Sequence, residues 1–376
     1  MDLGTRKNFP HSDGGILVRK YEMLPMTTMN TGDILHLNTI NMTCTFNCTT
    51  PELGRNFPVL PVAMMLLFGG SGNILALIIL IHTSQRHKWR AFYRLVLALA
   101  LSDLLGLLGP LPVSISAYVN NMTWTGGEIS CAFMSFTLIF TGMTSAMLAA
   151  AMSLDRFLAV WFPFFYTSKL GKRWASFTIA ALGILALVLA CMPLMGINEN
   201  VHQFPGTWCF FNQFATDAGG KLFSYLYASL GMGMVGMMVV LNTLVIVVLV
   251  RRRLLKTDHG GRVKSESRRA GDVFNVVFLV VLMMVFTICW LPLMVRIIIN
   301  QSAFGSVDRL SDLLVMRLAL TNQILDPWIY ILLRKDFVSA VVNKGNRFVN
   351  RGSFLRRKST DEFSRSGQRR TYSATS

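Results

Sequence analysis

Arg317 is the residue whose chemistry most needs a partner, because it lies about eight residues, or ~12 Å, inside an apolar stretch from residue 310 to 333. A buried arginine is costly unless it is paired or hydrated, and its planar guanidinium suits a carboxylate, to which it can donate two parallel hydrogen bonds. One interpretation is a salt bridge to an internal acid. However, Asp103 and Asp326, the acids at depth in the second and seventh apolar stretches, lie nearer the middle or inner half. We therefore favour the carboxylate of a bound ligand.

Enzyme chemistry is not indicated by the other candidate ligands and nucleophiles. The six histidines lie in loops or at the ends of apolar stretches: His11, His36, His82, His87, His202 and His259. None of them stands with cysteines at the spacing of a metal site, so we expect no catalytic centre. A transporter usually shows two-fold internal repeats with broken helices at the midplane. No such repeat is visible in this sequence.

The elements that must position Arg317 are seven apolar stretches. Hydrophobic residues make up 52% of the chain and charged residues only 15%, whereas soluble domains carry about 25% charged residues. Each stretch is long enough to cross ~30 Å of hydrocarbon as a helix. The seven spans are 58–82, 92–119, 130–160, 174–196, 221–250, 271–299 and 310–333. The predicted fold class is an all-α membrane protein, a seven-transmembrane helix bundle.

Lysine and arginine are distributed unequally among the loops, which sets the orientation of the bundle. The loops after the first, third and fifth spans and the C-terminal tail are basic, whereas 120–129 and 197–220 carry no positive charge and 300–309 carries only Arg309. Basic loops stay in the cytoplasm, so we expect an extracellular N-terminus and a cytoplasmic C-terminus. The net charge of +17 then reflects this orientation and attraction to anionic lipid, and does not indicate nucleic-acid binding.

Four glycosylation sequons and four cysteines fall on the predicted outer side. The sequon asparagines are Asn41, Asn47, Asn121 and Asn300. Cys131 begins the third span and Cys209 lies in the second outer loop, so a disulfide between them is plausible in this oxidising compartment. It would hold the loop against the top of the third span. Cys44 and Cys48 could also pair with each other.

Five short motifs recur span by span and resemble those of rhodopsin-like G-protein-coupled receptors. They are Gly72-Asn73, Leu-Ala-Leu-Ser-Asp103, Asp155-Arg156-Phe157, Cys289-Trp290-Leu-Pro292 and Asp326-Pro327-Trp-Ile-Tyr330. Two longer stretches narrow the likeness. The loop sequence 205–210 resembles the second-loop signature of prostanoid receptors, and 317–335 resembles their seventh helix. Within that family, 292–301 and Phe165-Tyr166 look most like the prostaglandin E2 receptors that couple to Gs.

The resemblance implies a binding site for a flexible lipid with one carboxylate. Residues expected to contact it are Arg317, Tyr118, Thr207, Trp208, Ser114 and Gln323. Arg317 would hold the carboxylate, with hydroxyl donors from Tyr118 and Thr207. Trp208 would form an apolar roof with the phenylalanines after Cys209, although simple loop packing is an alternative. Ser114 could bind a ligand oxygen or its own helix backbone, Gln323 could reach the ω-chain, and Pro110 and Pro112 should kink the second span.

The inner half is expected to carry the activation machinery. Four polar residues resemble the sodium-binding set of the superfamily: Asp103, Ser145, Asn322 and Asp326. A structural sodium ion held by Asp103 and Ser145 is the one cofactor expected, and a hydrated network without an ion is the alternative. Trp290 lies beside Pro292, where the sixth span can bend. Asp155, Arg156 and Tyr330 would take part in G-protein coupling.

These expectations define three regions and a function. An extracellular glycosylated N-terminus covers 1–57, the receptor domain 58–333, and a short amphipathic helix with a disordered basic Ser/Thr-rich tail 334–376. The implied function is a plasma-membrane receptor for a prostaglandin, with prostaglandin E2 favoured, that activates Gs and raises cAMP. Alternatives are another prostanoid or carboxylated lipid with Gi or Gq coupling, and a transporter. Arrestin and receptor kinases are expected to act on the tail, and an unregulated tail is the alternative.

Overall fold

The chain forms a bundle of long α-helices with one short β-hairpin. The structure, a computed structural model, describes residues 58–84, 91–169, 172–257, 266–302 and 308–333. Its elements in chain order are α1 (Leu60–Ser84), α2 (Ala91–Leu108), α3 (Pro110–Val119), α4 (Gly127–Trp161), α5 (Pro163–Lys169), α6 (Lys172–Cys191), β1 (Asn200–Gln203), β2 (Trp208–Phe211), α7 (Ala218–Thr257), α8 (Glu266–Ser302) and α9 (Arg309–Leu333). The N-terminal segment, the amphipathic helix after the seventh span and the tail lie outside the described residues.

The seven predicted spans correspond to α1, α2 with α3, α4, α6, α7, α8 and α9. Six of these stretches, among the described residues, are long and apolar enough to cross a membrane. The seventh, α9, is 25 residues long and also has the length of a span. It is more polar because it carries Arg317 and the Asn322–Gln323 pair in its middle turns. The least apolar span thus carries two of the candidate site residues, Arg317 and Gln323.

The second span is interrupted at Gly109, since α2 ends at Leu108 and α3 begins at Pro110. Proline has no backbone N–H and its ring collides with the carbonyl four residues earlier, so the helical hydrogen bonds break here. The interruption lies where the two prolines predict a kink. After the break, Ser114 and Tyr118 lie on the buried face of α3.

Helix α4 forms the centre of the bundle, with 78% of its most apolar window buried inside the protein. It packs against α2, α6 and α7. Small residues such as Gly142, Ser145 and Ala149 are buried along it and let neighbouring backbones approach closely. Position 145 in particular brings a hydroxyl within reach of α2.

The β-hairpin covers the outer end of the bundle. Strands β1 and β2 are antiparallel, with His202 opposite Cys209, and the turn between them places Gly206 at φ +96°. All four residues of β2 are buried. The predicted Cys131–Cys209 disulfide is confirmed, with the two Cα atoms 5.3 Å apart. The bond attaches the hairpin to the outer end of α4.

Candidate functional site

Arg317 lies on α9 and reaches across to α3. Its Nη2 donates a 2.7 Å hydrogen bond to the hydroxyl oxygen of Tyr118. The ion pairs found among the described residues belong to Arg156 and Arg296, and none involves Arg317. The structure therefore brings Arg317 and Tyr118 together as predicted, and it gives the guanidinium a phenol but no carboxylate among those residues.

A narrow cavity surrounds this pair beneath the hairpin. Thr207, Trp208, Ser114 and Tyr118 all line it with Arg317. Its remaining walls are apolar and come from α1, α3, α4 and α9. Thr207 is fully buried, and its hydroxyl oxygen has no hydrogen-bond partner in the described structure. A buried hydroxyl of this kind is costly unless a ligand or water completes its hydrogen bonds.

Gln323 lies elsewhere, in a second and deeper cavity that Tyr227 and Trp290 also line. The two cavities share three lining residues: Leu138, Met316 and Leu320. The Oε1 atom of Gln323 has no hydrogen-bond partner in the described structure. Together the cavities form an elongated site with a cation at one end, apolar walls between, and an amide at the other.

Trp290 forms the floor of the deeper cavity. Its ring stacks on Phe286 at 5.9 Å between ring centroids. The facing position on α4 is Gly142, where an added Cβ would lie 3.2 Å from the indole. The missing side chain leaves the indole in close contact with α4, two residues before Pro292, which lies inside the continuous helix α8 and has no backbone N–H to donate.

The four predicted sodium-set residues come together deeper in the bundle. Ser145 donates a 2.6 Å hydrogen bond to Asp103, and the Asn322 amide donates a 2.9 Å bond to Asp326. Both carboxyl groups are buried. Oxygen atoms of Asp103, Asn322 and Asp326 remain without hydrogen-bond partners in this part of the structure. A set of buried oxygen atoms that lack partners suits a hard cation such as sodium.

The inner end of α4 carries the Asp155–Arg156 pair, with Nη2 of Arg156 3.4 Å from the Asp155 carboxylate. The hydroxyl of Tyr166 on α5 also donates to Asp155, at 2.8 Å. The guanidinium of Arg156 lies 3.8 Å from the ring centroid of Phe92. Sequence reasoning missed the roles of Tyr166 and Phe92, because neither is adjacent to the motif in the chain. The hydroxyl of Tyr330, on α9, contacts the sulfur of Met152, which lies on α4 one turn before Arg156.

The outer ends of α8 and α9 hold an ion pair that the sequence did not predict, between Arg296 and Asp312 at 2.6 Å. Asn300 lies beside it, buried, and its amide nitrogen donates to Gln213 and Asp312 at 2.9 Å each. In the folded structure the acceptor nitrogen of the predicted glycan site at Asn300 is therefore buried and hydrogen-bonded, which argues against a glycan there. Asn121 is exposed in a turn, as a glycan acceptor must be. The other two sequon asparagines lie outside the described residues.

His202 packs beside the disulfide, with its Nδ1 3.2 Å from the sulfur of Cys209 and its ring against Trp124. Burial lowers the pKa of this imidazole. Cys131, Cys209 and His202 come within 4.8 Å of one another, as the ligands of a metal would. The two sulfurs form a disulfide and offer no thiolates, so the arrangement is structural.

Comparison with known proteins agrees with this geometry. Residues 72–330 match the sequence model of the 7 transmembrane receptor (rhodopsin family). The Prostaglandin E2 receptor EP4 subtype of Mus musculus is 33% identical over 372 residues, which cover 88% of this chain and 72% of that receptor. The Thromboxane A2 receptor of Bos taurus is 33% identical over 291 residues, covering 73% of this chain and 83% of that receptor. The Prostacyclin receptor of Mus musculus is 33% identical over 277 residues, covering 72% of this chain and 66% of that receptor.

Proposed function

Because the chain belongs to the rhodopsin family of seven-transmembrane receptors, within its prostanoid-receptor branch, we propose that it binds a prostaglandin and activates a heterotrimeric G protein. Proteins of this family are receptors and not enzymes. Prostaglandin E2 is the favoured ligand, and Gs with a rise in cAMP is the favoured output. The proposal agrees with the sequence resemblance and replaces the transporter alternative.

The observation that carries the proposal is the cavity built around Arg317. A prostanoid is an elongated fatty-acid derivative with a carboxylate at one end. The site offers a guanidinium whose described hydrogen bond goes to a neutral phenol, and the unsatisfied hydroxyl of Thr207 lies on the same wall. Ser114 adds a second hydroxyl for a carboxylate or ring oxygen. Apolar walls lead from this polar end to Gln323, as the body and ω-chain of such a ligand require.

The choice of prostaglandin E2 rests on relatives alone. Prostaglandin E2 receptors of the EP4 subtype from several mammals are similar to this chain, and they cover more of it than the thromboxane A2 and prostacyclin receptors do. The thromboxane A2 and prostacyclin receptors are similar to the same degree, at 33% identity. Another prostanoid, with Gi or Gq coupling, is therefore the second candidate.

Activation would begin at the floor of the site and end at the cytoplasmic side. A ligand chain that displaces Trp290 acts on α8 beside Pro292, where a backbone hydrogen bond is missing and bending is easy. An outward movement of the inner part of α8 would then release Arg156 from Asp155 for contact with the G protein. A sodium ion, when bound, would hold the Asp103–Asp326 network in its resting arrangement through charge neutralisation.

The proposed setting is the plasma membrane, with the N-terminus extracellular and the C-terminus cytoplasmic. Arrestin and receptor kinases are proposed partners of the tail, and anionic lipid of the basic inner loops. Oligosaccharides are proposed at Asn41, Asn47 and Asn121. Nucleic acid is not among the proposed partners.

The decisive experiment expresses the receptor in cells with cAMP and calcium reporters and applies a panel of prostaglandins, a thromboxane mimic and a prostacyclin mimic. The proposal expects prostaglandin E2 to act at the lowest concentration, through cAMP. A lower effective concentration for another prostanoid would replace the ligand assignment. If no prostanoid produced a cAMP or calcium response while the receptor was present at the cell surface, the proposed function would be rejected.

A further inference from the structure

Four polar side chains at the outer end of the bundle form one connected cluster, here called the outer latch: Gln213, Arg296, Asn300 and Asp312. Arg296 donates from Nε to Asp312 at 2.6 Å and from Nη2 to the backbone carbonyl of Asp308 at 2.8 Å. Asn300 donates to both Gln213 and Asp312. The cluster therefore links three chain segments: the loop after β2, the outer part of α8 and the first turn of α9.

The outer latch is buried although it lies at the water-facing end of the protein. Gln213 is 2% exposed, and Asn300 and Asp312 are each 6% exposed. Beside it, the Gln301 amide donates to the carbonyl of Ala215, which adds a second connection between α8 and the loop. Separating these segments would expose or leave unpaired several charged and polar groups at once, which makes opening costly.

The latch is joined to the candidate binding site on both sides. Leu293, one turn before Arg296, lines the deeper cavity, and Leu313, next to Asp312, lines the cavity around Arg317. Gln213 follows β2, which the disulfide at Cys209 fixes to α4. The latch thus connects the outer ends of α8 and α9 to a hairpin that already covers the site.

We propose that the outer latch closes the water-facing seam between the hairpin, α8 and α9, and that its opening sets the rate at which ligand exchanges between the site and water. This inference rests on the proposed function, since it concerns the same site. A barrier that must open for entry and for exit affects both rate constants by the same factor. Loosening the latch therefore accelerates association and dissociation together and leaves the equilibrium affinity nearly unchanged.

The test measures association and dissociation of tritiated prostaglandin E2 on membranes that carry the Asp312→Ala receptor. The matched control is Asp308→Ala, which removes a carboxylate four residues before Asp312. The carboxylate of Asp308 is exposed and accepts hydrogen bonds from the hydroxyl and the backbone N–H of Ser311, and these hydrogen bonds lower its pKa. Arg296 uses the backbone carbonyl of Asp308, which the control retains.

For Asp312→Ala we expect both rate constants to rise about tenfold, equivalent to 1.4 kcal/mol off the opening barrier, with the dissociation constant changed less than about threefold. For Asp308→Ala we expect rates like those of the unmodified receptor. A faster dissociation with unchanged association would mean that Asp312 stabilises bound ligand, and would overturn the proposal. Unchanged rates in both variants would overturn it too.

Exchanging the two charges of the Arg296–Asp312 pair controls for the case in which the Asp312→Ala receptor folds poorly. Arg296→Asp combined with Asp312→Arg restores an ion pair across the same gap, and we expect it to return both rate constants towards their original values. A combined variant that exchanges as fast as Asp312→Ala, with normal surface expression, would contradict a latch held by this pair.

A readout without prostaglandin separates failure of this inference from failure of the proposed function. Met316 lines both cavities, so a Met316→Cys receptor reports water access through labelling by a membrane-impermeant thiol reagent. Labelling of the receptor with Met316 intact is subtracted as background. Adding Asp312→Ala, but not Asp308→Ala, should speed labelling about tenfold. Equal labelling rates would reject the latch even if prostaglandin E2 proves to be the ligand.

Discussion

Replacing Arg317 with alanine tests the residue on which the proposed function depends most. In the structure this guanidinium bonds to Tyr118 and pairs with no carboxylate among the described residues, so its removal breaks no internal salt bridge there. If the ligand's carboxylate completes the site, the variant leaves that anion in an apolar cavity without its partner. Loss of affinity should then depend on the charge of the ligand.

The size of the loss follows from burial. Removing one member of a buried, hydrogen-bonded charge pair costs roughly 2–5 kcal/mol. Arg317 is only partly buried, so solvent weakens the pair and the lower part of that range applies. We expect about 2–3 kcal/mol, or roughly 30- to 150-fold weaker binding of the free acid. Arg317→Lys should recover only part of the lost affinity for the free acid, because an ammonium group cannot donate two parallel hydrogen bonds to the carboxylate.

The assay is competition binding of prostaglandin E2 and its methyl ester to receptors at matched surface density. The ester should bind the unmodified receptor less well than the acid and lose little more on Arg317→Ala. Arg309→Ala, at the outer end of the same helix and away from the cavity lining, serves as the control and should leave both affinities unchanged. Equal losses for acid and ester, with normal expression, would show that Arg317 supports the fold and not the ligand.

Three further predictions follow from the other parts of the structure. Non-reducing peptide mapping should recover Cys131 and Cys209 as one linked pair, and both found as free thiols in functional receptor would contradict the hairpin's attachment. Asp103→Asn should reduce inhibition of agonist binding by sodium, because it removes an anionic oxygen from the set, and agonist binding that ignores sodium in the unmodified receptor would reduce the site to a hydrated network. Asn121→Gln should increase gel mobility through loss of a glycan, whereas Asn300→Gln should not, and a glycan lost on Asn300→Gln would mean that its buried amide is accessible before folding is complete.

The spans, the hairpin's disulfide and the break in the second span were predictable because each depends on a strong signal in the sequence itself. Twenty apolar residues predict a membrane helix in any context, and two cysteines on the outer side have few possible partners. Pro110 interrupts its helix for reasons that lie within one turn of chain. The placement of Arg317 and Tyr118 in one site followed from the family likeness, whereas the hydrogen bond between them was not predicted.

Contacts between polar groups from distant segments could not be predicted in the same way. Tyr166 lies eleven residues after Asp155, and only the turn at Phe162 and the direction of α5 bring its hydroxyl to the carboxylate. The burial of Asn300 depends on Gln213, 87 residues earlier in the chain. A sequon specifies what an enzyme can recognise in an unfolded chain, but the packing of α8 against the loop after β2 determines how accessible the folded side chain is.

Arg296 and Arg317 show how the structure separates a binding residue from a structural one of the same type. Both are arginines in the outer half of an apolar span, and Asp312 lies only five residues from Arg317 on the same helix, so the sequence alone leaves Asp312 available to either. Five residues correspond to about 500° of helical rotation, which directs the two side chains of α9 towards different neighbours. Asp312 faces α8 and neutralises Arg296, while Arg317 faces α3 and bonds to a phenol. Pairing Asp312 with Arg296 thus leaves Arg317 as the guanidinium in this cavity with which an acidic ligand can pair.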